Sequence, residues 1–259
     1  MNLVVLMRMV PDVVEELVIA PDLTRLERDE LRMISSESDD HALEEALLLK
    51  ERYGGRVTVL IPEAAEADAT LYSAAAKGAD RLIKLSGLEA AFGTHALAMA
   101  CAAALRSIPD LLPADLILTG AQAIEDLDGL MAPLVAHQLG WPYLGIITKV
   151  DELKDGTVTV VKEFPGGFRG EFQMSLPAVL GIQAAEKPPR YVPVAKVRAA
   201  MKSARIEEAE APEPASAAPQ IEVLELAKPV AAGQAQMLEG SPEQVAEQLC
   251  QLLAERALL

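Results

Sequence analysis

Residues 40–61 read DHALEEALLLKERYGGRVTVLI, and this stretch decides the fold class. Its first part, residues 40–53, places apolar side chains at the spacing of one helical face. Residues 56–61 (RVTVLI) then form a short apolar run with strand character. A helix followed at once by an apolar strand is typical of a sheet that is covered by helices.

The same alternation continues on both sides of this stretch. Further strands are predicted at Leu3–Val10, Arg81–Leu85 and Asp115–Thr119, and further helices at Ala67–Lys77 and Thr94–Ser107. Alternation of this kind implies parallel strands joined by right-handed crossovers, and strands this uniformly apolar are buried on both faces. We therefore predict an α/β fold with a doubly wound, mostly parallel, Rossmann-like sheet.

The second half of the chain adds other features to this sheet. Asp155-Gly156 is a hairpin turn signal between two apolar runs, so we predict a β-hairpin extension at about residues 143–176. Three prolines argue against regular structure in residues 187–195. We predict one domain over residues 1–206, a linker at 207–220, and a C-terminal arm at 221–259 whose helix begins after an N-cap at Ser241.

Composition excludes several classes of function. The net charge of −16 disfavours binding to nucleic acid or to an anionic membrane surface. Two cysteines, expected to be buried and reduced, and three scattered histidines make no metal-ligand spacing, so no metal is expected. The apolar N-terminus lacks the pattern of a signal peptide, which predicts a cytoplasmic protein without membrane insertion.

A ligand site is expected where the strands end, because open α/β sheets bind ligands at the carboxyl ends of their strands. Leu6, Pro62 and Gly120 end three of the predicted strands. Gly120 opens the loop GAQAIEDLDG and allows close approach of the backbone, and the helix after this loop has free N–H groups that can bind a phosphate. An ordinary strand–helix turn is the alternative. No nucleophile or catalytic triad can be assembled, so we expect a carrier or binding module with no catalytic residue.

Five segments, in order, resemble the beta subunits of electron transfer flavoproteins. They are DDHALEEALLLKE (39–51), AAAKGADRLIKL (74–85), GAQAIEDLDGLMAPLVAHQLGWP (120–142), KEFPGGF (162–168) and LPAVLGIQAAEKPPRYVPV (176–194). The resemblance implies a heterodimer with an alpha subunit that holds most of a redox-active FAD and exchanges electrons with dehydrogenases. It also implies that this chain binds AMP, or a second FAD in electron-bifurcating relatives.

The resemblance assigns candidate residues. The implied nucleotide contacts are Leu6, Ser36, Glu37, Ser38, Asp39, Pro62, Gly120, Ala121, Gln122, Ala123, Ile124, Asp126, Asp128, Gly129 and Met131. The implied contacts with partner proteins are Glu163, Tyr191 and Val194, with Val194 as the apolar anchor of a docking loop at 187–195. The C-terminal helix is expected to pack on the partner subunit.

The chain departs from the family pattern around the phosphates. Ser36-Glu37 stands where the family has Asn-Pro, and Leu130 and Met131 stand where it has side chains that donate hydrogen bonds. Losing two such bonds, at about 1.5–3 kcal/mol each, predicts nucleotide binding weaker by roughly two to four powers of ten. Two other uses of the fold therefore stay open: a scaffold subunit with a decayed nucleotide site, and a stand-alone adenine-nucleotide-binding module.

Overall fold

A computed structural model describes residues 1–27, 31–88, 93–126, 128–212, 223–229 and 237–258. The chain divides into two compact units, residues 1–224 and residues 225–259. The first unit carries the sheet and the candidate site. The second carries the C-terminal helix.

The elements of the first unit are, in chain order, β1 (Asn2–Leu6), β2 (Met9–Pro11), β3 (Met33–Ser35), α1 (Glu37–Tyr53), β4 (Arg56–Pro62), α2 (Ala67–Lys77), β5 (Arg81–Ser86), α3 (Thr94–Ser107), β6 (Leu116–Gly120), α4 (Met131–Leu139), β7 (Tyr143–Lys154), β8 (Thr157–Phe164), β9 (Phe168–Ser175), β10 (Ala178–Ile182), α5 (Val194–Ser203) and β11 (Ile206–Glu210).

The described residues form one large sheet in the order β11-β5-β4-β1-β6-β10-β7-β8-β9. All neighbours from β11 to β7 are parallel, whereas β7, β8 and β9 pair antiparallel. The chain runs outward from β1 through β4 to β5 and then returns to place β6 on the other side of β1. The predicted doubly wound, mostly parallel sheet with a hairpin extension is confirmed.

Helices cover both faces of the parallel strands. Leu3 and Val5 of β1 belong to the apolar cluster that includes α1 and α2, whereas Val4 and Leu6 belong to the cluster with α3 and α4. Alternate residues of one strand thus enter opposite layers, since successive side chains of a strand point to opposite faces. This double burial explains why the strands read as continuous apolar runs in the sequence.

The first predicted strand, Leu3–Val10, is shorter than expected. β1 ends at Leu6, and β2 turns away to pair antiparallel with β3. The backbone N–H of Arg8 donates to the Asp39 carboxylate at 2.9 Å instead of to a neighbouring strand. The side chain of Asp39 on α1 thus accepts the N–H that would otherwise have continued the hydrogen bonding of β1 with a neighbouring strand.

The boundary of the predicted linker also differs. Residues 206–210 form β11, which pairs in parallel with β5 at the edge of the sheet. Arg81 of β5 fixes this strand with a two-pronged ion pair to Glu207, with Nη2 2.7 Å from Oε2 and Nε 2.9 Å from Oε1. Residues 207–210 are therefore strand rather than linker. Residues 213–220 of the predicted linker lie outside the described residues.

The second unit contains α6 (Pro242–Glu255), which begins as the sequence predicts. Ser241 is its N-cap, and Ser241 and Gln244 form a reciprocal capping box. No residue of α6 is buried, although Val245, Leu249, Leu252 and Leu253 make one apolar face.

Candidate functional site

The candidate site lies where the winding of the sheet reverses. β1 stands between β4 and β6, so their ends, Leu6, Pro62 and Gly120, lie on one edge. Pro62 and Gly120 are two strands apart, which is about 10 Å at ordinary strand spacing. A crevice at such a reversal is the usual ligand site of an open α/β sheet.

Asp39, near the start of α1, joins the ends of β1 and β6. One carboxylate oxygen accepts the Gly120 N–H at 2.6 Å, and the other accepts the Arg8 N–H at 2.9 Å. Asp39 is completely buried, and this burial raises the pKa of its carboxyl despite the opposing effect of Arg8 and the two N–H donors. Asp39 therefore acts as an internal brace that binds two strand ends together.

Gly120 is the point where α1 touches the loop. A β-carbon at this position would lie 2.1 Å from the Ser38 hydroxyl oxygen and 2.8 Å from the Ser38 carbonyl carbon. The Ser38 hydroxyl also donates to the Gln122 carbonyl. The structure thus brings together Ser38, Asp39, Gly120 and Gln122, all of which the sequence comparison with the family nominated.

Arg8 is a residue of this site that the sequence analysis missed. It is 7% exposed, its Nη1 lies 2.8 Å from Asp126, and its Nε lies 3.7 Å from Asp39. Its Nε and Nη2 atoms are buried and make no hydrogen bond among the described residues. The available signal was a single basic residue inside the run VVLMRMVP, directly after a predicted strand.

Several N–H groups of the loop donate to acceptors within the protein. Ala121 donates to Ile182 at 2.8 Å, Gly129 to the Asp126 carbonyl at 3.2 Å, and Leu130 to the Asp126 carboxylate at 3.3 Å. Asp126 thus takes both the guanidinium of Arg8 and an N–H at the start of α4. A phosphate that binds Nη1 of Arg8 or the N–H of Leu130 would therefore have to displace Asp126.

The other nominated residues divide by exposure. Leu6 and Met131 are buried in the apolar cluster with α3 and α4. Gly129 has a φ of +63°, and a β-carbon there would lie 2.6 Å from the Ala121 carbonyl oxygen, so this position favours glycine. Ser36 and Ala123 are buried, Pro62 and Ala121 are half-buried, and Glu37, Gln122, Ile124 and Asp128 are exposed.

The residues nominated for contact with partner proteins lie away from this loop. Glu163 stands opposite Arg169 across the β8–β9 hairpin. Tyr191 and Val194 are 84% and 62% exposed. Val194 is the first residue of α5, so the prediction of irregular structure is wrong for residues 194–195, where the helix begins directly after Pro193.

The expected burial of both cysteines can be compared with the structure. Cys101 is buried, whereas Cys250 is exposed on α6, which corrects its predicted burial. Within the described ranges, no group of three or more His, Cys, Asp or Glu side chains could hold a metal ion. The described helices also include none that is long and apolar enough to cross a membrane.

Comparison with known proteins places this chain in a family. A sequence profile described as "Electron transfer flavoprotein domain" matches residues 24–214. The chain is 33% identical to an electron transfer flavoprotein subunit beta of Clostridium acetobutylicum over 76% of this chain and 74% of the relative. It is 29% identical to the subunit beta of Bacillus subtilis over 99% of both chains.

A third relative carries a different name. The chain is 30% identical to Protein FixA of Azotobacter vinelandii over 70% of this chain and 64% of the relative. The profile covers most of the chain, and the Bacillus match extends over the C-terminal unit as well. The chain therefore belongs to the electron transfer flavoprotein family, among its beta subunits.

Proposed function

We propose that this chain pairs with an electron transfer flavoprotein alpha subunit, that the pair holds FAD mainly through the alpha subunit, and that it relays electrons between dehydrogenases and other redox partners. Family membership supports the electron-transfer role. The arrangement of exposed apolar groups in this chain supports the assembly with partners.

An aromatic patch on the hairpin is the observation that carries the proposal. Phe164 and Phe168 stand directly opposite each other, and the ring centres of Phe164 and Phe172 are 6.2 Å apart. A β-carbon at Gly170 would lie 2.9 Å from Phe172 and 3.0 Å from Phe164, so glycine lets the rings gather. All three rings are exposed although the chain is only 3% aromatic. Such a patch marks a protein interface.

The C-terminal unit supports the same conclusion. α6 carries four aliphatic side chains on one face, and none of them is fully buried: Leu249 is exposed, and Val245, Leu252 and Leu253 are half-buried. A helix with one apolar face gains its stability by covering that face. We propose that the alpha subunit covers the apolar face of α6, and that residues 221–259 form an arm that packs on the surface of this partner.

A third surface suits transient contact with dehydrogenases. Val194, Arg198, Met201 and Lys202 lie on one exposed side of α5, with Val194 and Met201 as its apolar members. Residues 187–205 contain six basic residues and no acidic one in a chain whose net charge is −16. We propose that this surface and the tip at Tyr191 bind dehydrogenases, with Val194 as the anchor.

Assembly is tested by expressing the chain with and without an alpha subunit from the same source. The proposal expects an equimolar, yellow heterodimer, with flavin that a dehydrogenase reduces. The chain alone is expected to be oligomeric or poorly soluble, because its apolar patch then faces water. A colourless monomer that stays soluble at high concentration and does not bind the alpha subunit would contradict the proposal.

The second candidate is a scaffold subunit whose own nucleotide site has decayed. Asp126 favours it, since this carboxylate already engages Arg8 and the N–H of Leu130. Mass analysis of small molecules released from the denatured heterodimer separates the candidates. AMP or a second FAD, in addition to the FAD of the alpha subunit, would support a working site, whereas one FAD alone would support the scaffold.

A further inference from the structure

The docking loop at residues 187–195 is held by a single residue just before its exposed tip. Arg190 donates from its backbone N–H to one oxygen of Glu44 at 2.9 Å and from its Nε and Nη2 to the Glu44 carboxylate at 2.7–3.0 Å. Its Nη1 also lies 2.6 Å from Glu51. One arginine thus ties the loop to α1 through its backbone and its side chain.

Glu44 is built into this contact. Its carboxylate is 3% exposed, and Arg190 supplies all the hydrogen bonds described for it. A buried carboxylate has to be paired or hydrogen-bonded, and the planar guanidinium of arginine can donate two hydrogen bonds in fixed geometry, which a lysine ammonium does not match. The pairing therefore fixes the direction in which the chain leaves residue 190.

The segment before Arg190 is attached to the same helix. Ala185 donates to Nδ1 of His41 at 3.1 Å, and Glu186 donates to the Glu45 carboxylate at 2.9 Å. On the other side of the tip, α5 packs against α2. The tip of the loop, residues 191–194, thus connects Arg190, which is fixed on α1, to α5, which is packed on α2. Tyr191 and Val194 are the most exposed apolar side chains of this tip.

We propose that Arg190 is a positioning residue for dehydrogenase docking: by its pairing with Glu44 it holds the tip so that Val194 is presented in its binding position. This inference rests on the proposed docking function. A loop that is ordered before binding loses less conformational freedom when it binds. Loosening the anchor should therefore weaken docking without changing electron transfer inside the complex.

The test compares variants of the whole heterodimer in electron transfer with a purified flavin dehydrogenase that reduces the wild type. Arg190→Lys keeps the charge but loses the two-pronged contact. Arg81→Lys makes the same change in the Arg81–Glu207 pair at the far edge of the sheet and is the matched control. Val194→Ala and the double variant Arg190→Lys/Val194→Ala complete a cycle.

We expect Arg190→Lys to raise the half-saturating heterodimer concentration by about tenfold or more, with the rate at saturation unchanged. Arg81→Lys should leave both values unchanged. The double variant should dock no more weakly than Val194→Ala alone, because Arg190 acts through Val194. Hydrogen exchange at residues 191–194 should be faster in Arg190→Lys than in the wild type.

Two results would overturn the inference. One is a half-saturating heterodimer concentration for Arg190→Lys that equals the wild-type value. The other is a double variant whose increase in this concentration is the product of the increases caused by the two single substitutions. If Val194→Ala docks normally, the proposed docking surface is wrong as well. If Val194→Ala docks weakly and Arg190→Lys docks normally, only the inference about Arg190 is wrong. If Arg190→Lys does not assemble, Glu44→Gln carries the same test, since it keeps the shape of the anchor and removes its charge.

Discussion

The carboxylate of Asp39 accepts the backbone N–H of Gly120 at 2.6 Å, across the point where the sheet reverses its winding. The same carboxylate accepts the N–H of Arg8, so one buried side chain near the start of α1 satisfies donors at the ends of two strands. The same two strand ends also frame the candidate nucleotide site, so a change at Asp39 would alter both the stability of this junction and the shape of that site.

Asp39→Asn should destabilise the protein in a pH-dependent way. The amide oxygen can accept only one of the two N–H groups, and leaving the other unsatisfied in a buried site costs about 1–3 kcal/mol. Because burial raises the pKa of Asp39 above its ordinary value of 3.8, the folded protein holds this proton more tightly than the unfolded chain. The protonation of Asp39 therefore adds to the free energy of unfolding. This stabilising contribution is complete below pH 3.8 and is lost as the pH rises through the folded-state pKa.

Denaturant unfolding at pH 4 and at pH 7 checks this prediction. The free energy of unfolding should be lower for Asp39→Asn at both values, and the gap from the wild type should be wider at pH 4. An equal gap at the two pH values would show that Asp39 does not titrate with a raised pKa.

Gly120→Ala should loosen the same junction. The added β-carbon would lie 2.1 Å from the Ser38 hydroxyl oxygen and 2.7 Å from the Asp39 carboxylate, so α1 must shift away from the loop. Overpacking of this kind costs about 1–3 kcal/mol. Gly93→Ala is the control, because nothing lies within 4 Å of its β-carbon. Urea unfolding of both variants measures the difference, and similar losses would argue against a tight junction at Gly120.

Asp126→Asn should strengthen the binding of AMP. The change removes the carboxylate that competes with a phosphate for Arg8 and for the start of α4. A charge-assisted hydrogen bond gained by the phosphate is worth about 1.5–3 kcal/mol, or roughly 10- to 100-fold in affinity. The folded protein should become less stable, because neutralising Asp126 leaves the buried Arg8 with only its longer contact to Asp39.

Asp128→Asn is the control for this experiment, since it removes the same charge from an exposed position in the same loop. Calorimetric titration with AMP should show the gain for Asp126→Asn alone. Equal affinities for both variants would mean that Asp126 does not block the site.

Much of the fold was predictable because the strands are buried on both faces and therefore read as apolar runs. Ala67–Lys77 and Thr94–Ser107 are helices with the bounds that their spacing predicts. Residues 206–210 were not recognised as a strand, because IEEAE is an exposed edge strand whose place depends on a distant ion pair from Arg81. Short strands fixed by such long-range contacts leave little local signal.

The candidate site was only partly predictable for a related reason. The family resemblance nominated Asp39, Gly120 and Asp126, which the structure brings close together through α1 and Arg8. Arg8 was missed because its role depends on two partners that are 31 and 118 residues away in sequence. Met131 was nominated for its place in a motif, but its side chain fills the core beneath α4.

Phe168→Ser should weaken assembly with the alpha subunit and leave the fold of this chain intact. Phe168 is 73% exposed, so its loss should change the free energy of unfolding by no more than about 0.5 kcal/mol. An aromatic side chain buried at the centre of an interface commonly contributes 2 kcal/mol or more, which is roughly a 30-fold loss of affinity.

Glu171→Ser is the control, because Glu171 lies on the same strand and points to its opposite face. Sedimentation of mixtures with the alpha subunit should show the loss for Phe168→Ser only. Equal affinities for the two variants would place the subunit interface on another surface, such as the apolar side of α6.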